Sequence, residues 1–250
     1  MGLFSPKAAA DWKAVDMHCH VLPGLDDGSR SIQETLSMLT IAAGEGIDRM
    51  VVTPHYNLNH GFTASMEVVR LMTEKVQKAA FAHNIPVTLY PGNEIFYFEG
   101  IVDQLNQQRL ETMNDSSRVL VEFAPTVLYT TIQNAVEDLI DNDYVPVLAH
   151  IERYLCVVRK GERAYELSDM GAEIQTNAST VIGKNGREAK QLIQRLLKDE
   201  RIDYIGTDAH RSDHRRPEVK ECRTFLIKKY GDGYARWIMR DHAMESFLLG

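Results

Sequence analysis

The chain has 250 residues, 44% hydrophobic and 25% charged, a composition that excludes disordered or collagen-like architecture and allows one sizeable core. Asp and Glu number 35 against 28 Lys and Arg, and the resulting net charge of -7 argues at first reading against nucleic acid, acidic membranes or a phosphorylated partner. Cys19, Cys156 and Cys222 show no CxxC spacing, so neither a disulfide framework nor a cysteine-based zinc knuckle is expected, and a reducing cytoplasm fits. Residues 1–13 lack the apolar core of a signal peptide, no apolar run reaches about 18 residues, and Pro6 stands where a myristoylation pattern has Ser or Thr. The expectation is a cytoplasmic chain without a membrane anchor.

Residues 1–13 read as an N-terminal extension and 14–250 as a single domain. Strand-like runs rich in Val, Ile, Leu or Tyr occupy 14–17, 49–53, 86–90, 118–123, 145–149, 172–176 and 202–206. Helical spacing fills 31–43, 64–82, 130–140 and 186–198; in the first, Ile32, Leu36, Leu39 and Ala43 recur every three or four residues and form one buried face. Residues 217–249 read as further helix cladding the domain, with Phe225, Leu226, Trp237, Ile238 and Phe247 available for packing. Repeated strand-helix units imply parallel strands joined by right-handed crossovers. Seven units in this length predict a closed α/β barrel of the TIM type, with a doubly wound sheet as the alternative.

The polar residues that follow the strands carry the chemistry. The first strand leads into Asp16-Met17-His18-Cys19-His20 and then Asp26-Asp27-Gly28, the second into Pro54-His55, and the third into Gly92-Asn93-Glu94. The fourth ends at Glu122, the fifth at His150 followed by Glu152-Arg153-Tyr154, and the seventh at Asp208-Ala209-His210. In a parallel barrel all of these reach one rim. Singly each has an ordinary explanation: Glu122 could pair with an arginine, Asp208 could cap a helix, His150 could be a satisfied core histidine. The HxH of His18 and His20 can aim two imidazoles at one ion only if the strand is ending or bent there. Together, burying several carboxylates at one point without cations would be costly. Mixed imidazole and carboxylate donors favour manganese, iron or zinc, and nine ligands at three to four per ion suit a trinuclear site with one bridging carboxylate.

The order HxH, Asp, His, Glu, Glu, His, DxH resembles the polymerase and histidinol phosphatase (PHP) family, whose members have a distorted seven-stranded barrel and a trinuclear metal site. More narrowly, DMHCHVLPGLDDGS, TPHY, GNEIF, VEF, AHIERY and TDAH resemble the bacterial manganese-dependent protein-tyrosine phosphatases encoded with capsular or extracellular polysaccharide genes. The resemblance implies one ion on His18, His20, Glu94 and Asp208, a second on Glu94, Glu122 and His150, and a third on Asp27, His55 and His210. Asp27 is preferred over Asp26 as the second Asp of the DDG motif, a position often held by histidine in the wider family. Three divalent ions are implied, manganese first, with iron, cobalt or zinc as alternatives. Arg153 and Arg215 match the two phosphoryl-binding arginines, with Arg211 and Arg216 competing for the second place.

The expected reaction is direct metal-assisted hydrolysis of a phosphotyrosine on the tyrosine-rich tail of a bacterial tyrosine kinase, with no phosphoenzyme. A small-molecule phosphatase, such as one for histidinol phosphate, is the alternative, followed by a non-catalytic kinase-docking barrel and, further behind, a metal-dependent amidohydrolase. Thiol chemistry needs an Arg six positions after the Cys, where this chain has Leu25, Glu162 and Lys228. Three divalent ions would move the formal charge from -7 to -1 and convert the four ligand carboxylates from -4 to a site of +2, so an acidic chain acquires a cationic pocket.

Overall fold

A computed structural model describes residues 12–248, so the proposed extension lies outside the described residues except for Trp12 and Lys13. Trp12 packs against the core and its Nε1 donates to Asp232 at 3.0 Å.

Among the described residues there are nine strand segments: β1 Ala14–Cys19, β2 Ile47–Val52, β3 His55–Tyr56, β4 Thr88–Pro91, β5 Glu94–Phe96, β6 Arg118–Glu122, β7 Val145–Leu148, β8 Glu173–Asn177 and β9 Tyr204–Gly206. Every pairing between them is parallel, in the orders β1-β2-β4 and β3-β5-β6-β7-β8-β9. β2 and β3 are halves of one path interrupted at Thr53-Pro54, and β4 and β5 are halves of another interrupted at Gly92-Asn93. Pro54 has no N–H for a ladder, but its carbonyl accepts from Glu94 N at 3.2 Å and Asn93 Nδ2 at 3.0 Å, which ties the two interruptions together. The segments therefore make the seven strand positions read from the sequence. The last returns to the first through the parallel bridge of Cys19 with Ala209, where His20 N donates to Ala209 O and Asp208 N to His18 O, both at 2.8 Å. This closes a curled parallel α/β barrel rather than a doubly wound sheet.

The helices are α1 Ile32–Glu45, α2 Met66–Ala82, α3 Ile101–Asn106, α4 Tyr129–Asp141, α5 Leu155–Val158, α6 Glu162–Asp169, α7 Ala178–Val181, α8 Arg187–Lys198, α9 Lys220–Tyr230 and α10 Asp232–Arg236. Ser31 caps α1 by accepting from Glu34 N, and Gly46 ends it in the left-handed region at φ 87. α8 buries Ala189, Leu192, Ile193, Leu196 and Leu197, the apolar stripe of an outer barrel helix. The C-terminal helix differs from expectation: residues 217–219 are not helical, and Gly231, at φ 92 and ψ 159, separates α9 from α10. α3, α5, α6 and α7 did not emerge from periodicity because they are four to eight residues long, too short for the 3.6-residue pattern to declare itself.

Val15, Met17, Val51, Leu120, Val147, Ala149 and Tyr204 fill the barrel interior, with Ala243 and Phe247 of the C-terminal segment among them. At the strand beginnings, opposite the rim that carries the histidines, Arg118 joins three elements. Its Nε and Nη2 donate to Glu173 at 2.8 Å each, its Nε also reaches Tyr204 Oη at 3.1 Å, and its Nη1 donates to Ser246 O at 3.0 Å. Removing one partner of such a largely buried pair leaves the other uncompensated. Arg118→Ala should therefore cost about 3 kcal/mol and lower the melting temperature by roughly 6–12 °C, read by thermal denaturation, without altering the chemistry at the far end of the barrel. An unchanged melting temperature would refute a structural role for this ion pair.

Candidate metal centre

Backbone irregularities deliver the ligand atoms to the rim. In β1, Val15 and Met17 face the barrel interior, and a register shift between Asp16 and Cys19 then reverses the alternation. His18 and His20 consequently both turn toward the rim, while Cys19 joins the helix-facing core and its Sγ lies 3.4 Å from Val51 O. The bent strand that the HxH spacing required is thus present. His150, at φ 32, and Asp208, at φ 54, occupy the left-handed region, which side chains other than glycine adopt rarely and mainly where surrounding structure enforces it. Two glycines permit the close packing: a Cβ on Gly28 would sit 2.2 Å from His20 O, and one on Gly206 would sit 2.6 Å from His18 Cβ.

All nine positions singled out in the sequence meet here. Glu94 is central and fully buried: its Oε2 lies 3.1 Å from His18 Nε2, 3.2 Å from His20 Nε2 and 3.1 Å from His55 Nδ1, and its Oε1 lies 2.8 Å from His150 Nε2. Asp208 Oδ1 lies 3.5 Å from both His20 Nε2 and His210 Nδ1. Glu122 approaches His55 Nδ1 at 3.3 Å and His150 Nε2 at 3.4 Å, so it pairs with histidines and not with an arginine. Asp27 Oδ1 faces His210 Nε2 at 3.5 Å and His55 Nε2 at 3.7 Å. The donor atoms fall into three groups, each within 4.8 Å: His20, Asp27, His55 and His210; His18, His20, Glu94 and Asp208; and His55, Glu94 and Glu122. The middle group coincides with the implied first ion. His20 and His55 each belong to two groups, and His150 stands against Glu94 and Glu122 beside the third.

A metal fits these donors. Nitrogen and carboxylate oxygen converge without a thiol, and His55 Nδ1, Glu94 Oε2, Asp208 Oδ1 and His210 Nε2 are buried without a partner in hydrogen-bonding geometry, an arrangement that buried polar atoms normally avoid. Burial and the adjacent Arg153 oppose a proton on His150, yet Glu122 and Glu94 raise its pKa to about 9. Burial likewise opposes a charged His20, but Asp26, Asp208 and Glu94 hold its pKa well above the usual imidazole value. His210 is driven down to about 4 by burial and by the charge of His20. Glu94 and Asp208 stay ionised against burial because histidines surround both and Arg153 adds to Asp208.

Both arginines converge on Asp208. Arg153 Nη2 donates to its Oδ2, and Arg215 Nη2 lies 2.8 Å from its Oδ1. Arg211 instead pairs with Glu34 and Arg216 with Glu218, each at 3.3 Å, which separates the three candidates that sequence left crowded. Asp26 differs from Asp27 in kind: it is buried behind His20, with Oδ2 2.7 Å from His20 Nδ1 and accepting from His55 N at 2.9 Å, while Oδ1 accepts from Gly28 N at 2.8 Å.

Three further residues escaped the sequence reading. Gln175 Oε1 lies 3.3 Å from His18 Nδ1 and accepts from His150 N, and Asn177 Nδ2 donates to Asp208 Oδ2 at 3.0 Å. Glu152 is buried and accepts from Thr176 Oγ1, Asn177 N and Thr180 Oγ1 at 3.0, 3.0 and 2.7 Å, locking the loop that carries Arg153 to the end of β8. Glu152 and Asn177 had readable signals, the first in its place between His150 and Arg153 and the second directly after the sixth strand run.

The tyrosine-protein phosphatase YwqE of Bacillus subtilis (strain 168) is 29% identical over 217 residues, covering 87% of this chain and 85% of that protein. A crystal structure from the work on YwqE and Streptococcus pneumoniae CpsB, unique metal-dependent tyrosine phosphatases, superposes with a TM-score of 0.87 at 27% identity and covers 94% of each chain. The histidinol phosphate phosphatase of Lactococcus lactis, with a TM-score of 0.55 at 14% identity over 88% of this chain and 94% of that one, shares the barrel fold. The capsular polysaccharide synthesis family CpsB/CapC matches residues 14–248, and the chain belongs to that family.

Proposed function

We propose that the chain is a metal-dependent protein-tyrosine phosphatase using three divalent ions, manganese first. The observation that carries this reading is the convergence of five histidines and four carboxylates, several of their atoms left without hydrogen-bond partners, beside two guanidiniums at an open rim. Asp27 is 56% exposed, and Arg153 and Arg215 are 38% and 42% exposed, so the mouth admits a side chain carried on a protein. The relatives are tyrosine phosphatases, and the family belongs to capsule synthesis. The substrate we assign is the tyrosine-rich tail of a bacterial tyrosine kinase that controls capsular or extracellular polysaccharide synthesis, with this chain acting in the cytoplasm. Among the described residues no helix is long and apolar enough to cross a membrane.

In this reading His18, His20, Glu94 and Asp208 hold one ion, Glu94, Glu122 and His150 a second, and Asp27, His55 and His210 a third. Bound divalent ions supply a water-derived nucleophile at neutral pH and draw charge from the phosphoryl group. Asp208, once compensated by an ion, no longer needs Arg153 and Arg215, whose planar donor arrays are then available to the phosphoryl oxygens. The leaving tyrosinate has a parent pKa of about 10 and needs less protonation than an alkoxide. Burial pushes the Cys19 thiol well up, which removes it as a nucleophile.

Manganese-dependent phosphate release from a phosphotyrosine peptide should persist after thiol alkylation, and His18→Ala or Asp208→Ala should reduce it by at least about 100-fold. Loss on alkylation, or full activity in either variant, would overturn the reading. Asp26 orients His20 through its Nδ1, the carboxylate-histidine arrangement that raises ligand basicity and fixes the ring. Asp26→Asn should weaken metal affinity by roughly 10–100-fold, read by metal titration of the stripped protein. An unchanged affinity would make Asp26 a structural residue only.

A further inference from the structure

A second feature lies on the same rim. The loop after β6 and the segment leading into α5 meet, with Leu155 N donating to Pro125 O at 2.9 Å, and between them lies a groove of about 300 Å³. Val127, Leu155 and Cys156 give it an apolar lining, and Arg159, Lys160 and Arg163 line it as well. Leu155 is 40% exposed, and Leu128 at the end of the same loop is 71% exposed. Arg163 stacks over Tyr129 with its Cζ 4.4 Å from the ring centroid and donates to Cys156 O at 3.0 Å, which fixes its position. Among the described residues, no carboxylate lies within ion-pair distance of these three cations.

The groove neighbours the candidate centre along the chain. Its apolar loop begins just after Glu122, and Leu155 follows Arg153 by two residues, so the two Cα atoms are at most about 7 Å apart. A peptide whose phosphotyrosine enters between the arginines would bring residues a few positions away over this groove, because an extended chain advances about 3.3 Å per residue. A larger groove of about 710 Å³, which includes Arg153, Asp208 and Arg215 of the candidate centre, carries further cations, but these are neutralised: Lys184 pairs with Glu221 at 3.3 Å, Arg216 with Glu218 at 3.3 Å and Lys220 with Glu45 at 3.7 Å. In a chain of net charge -7, three unpaired cations together with an apolar lining are the complement of an acidic segment with an apolar anchor.

We infer that the groove formed by Val127, Leu155, Arg159, Lys160 and Arg163 is a recognition subsite for acidic residues flanking the phosphotyrosine of a peptide substrate. The inference rests on the phosphatase reading and names the substrate feature that the site selects.

The test compares two phosphotyrosine peptides, one with Asp and Glu two to four positions from the phosphotyrosine and one with Ser and Gln there. Wild-type protein and the charge-reversed Arg159→Glu/Lys160→Glu variant, altered only at exposed positions, are assayed beside p-nitrophenyl phosphate, which is too small to reach the groove. The acidic peptide should have a kcat/KM about fivefold to tenfold above the neutral one in the wild type, falling at higher salt. In the variant that preference should vanish or invert, with p-nitrophenyl phosphate hydrolysis unchanged within about twofold. Fluorescence anisotropy with nonhydrolysable phosphonate analogues of both peptides reads the same preference as binding, so absence of turnover would count against the phosphatase reading while leaving the subsite measurable. Equal kcat/KM and binding of the two peptides by the wild type, or retention of the acidic preference in the variant, would overturn the subsite.

Discussion

Four carboxylates and five histidines within a few ångströms, most of them buried, impose a charge problem that the rest of the structure is arranged around. Oxygen atoms of Glu94 and Asp208 lie within 4.8 Å of each other. At the effective dielectric appropriate to protein sites their repulsion is roughly 3 kcal/mol, before desolvation is counted. Without metal the compensation comes from protons and arginines: Glu122, Glu94 and Asp26 hold protons on His150 and His20, and Arg153 and Arg215 both rest on Asp208. Under the proposed function, divalent ions would substitute for all of these at once, with the histidines as neutral donors and the guanidiniums released from Asp208.

The barrel accommodates that cluster by departing from regularity at its rim and staying regular below. Alternation holds through Val15 and Met17, Leu120 and Val147, which build an ordinary interior closed at the bottom by Arg118, Glu173 and Phe247. Above it come the register shift in β1, the interruptions at Thr53-Pro54 and Gly92-Asn93, and the left-handed backbone of His150 and Asp208. Each departure re-aims a side chain that simple alternation would send elsewhere. Such strain persists because the packing beneath over-determines it. Capping and locking contacts, such as Glu152 across the ends of β7 and β8, supply part of that constraint.

The seven strand positions and all nine convergent residues were legible because they depend on short apolar runs and on the polar residues directly following them, both local signals. The interruptions were not legible: Pro54 and Gly92 are visible as residues, but whether each ends a strand or pauses it depends on the neighbouring strand. Gln175 was hidden for a related reason. It occupies the middle of a strand, and only closure of the barrel brings it under His18 and His150. The distinction between Asp26 and Asp27, adjacent in sequence but different in burial and partners, follows from which face of the loop meets His20. Likewise Arg215 separates from Arg211 and Arg216 only once Glu34 and Glu218 are seen to occupy the others.

The most direct measurement is calorimetric titration of the metal-stripped chain with manganese across pH and in buffers of different ionisation enthalpy. The account predicts about three ions per chain, proton release on binding, and apparent affinity that rises with pH toward about 9. That sign follows because the His150 pKa is raised to about 9 and the His20 pKa is raised well above the usual imidazole value, so both rings favour the protonated form in the stripped chain and must lose the proton to bind. Binding of no more than one ion, or affinity independent of pH with no proton release, would contradict the claim that metal ions resolve the buried charge.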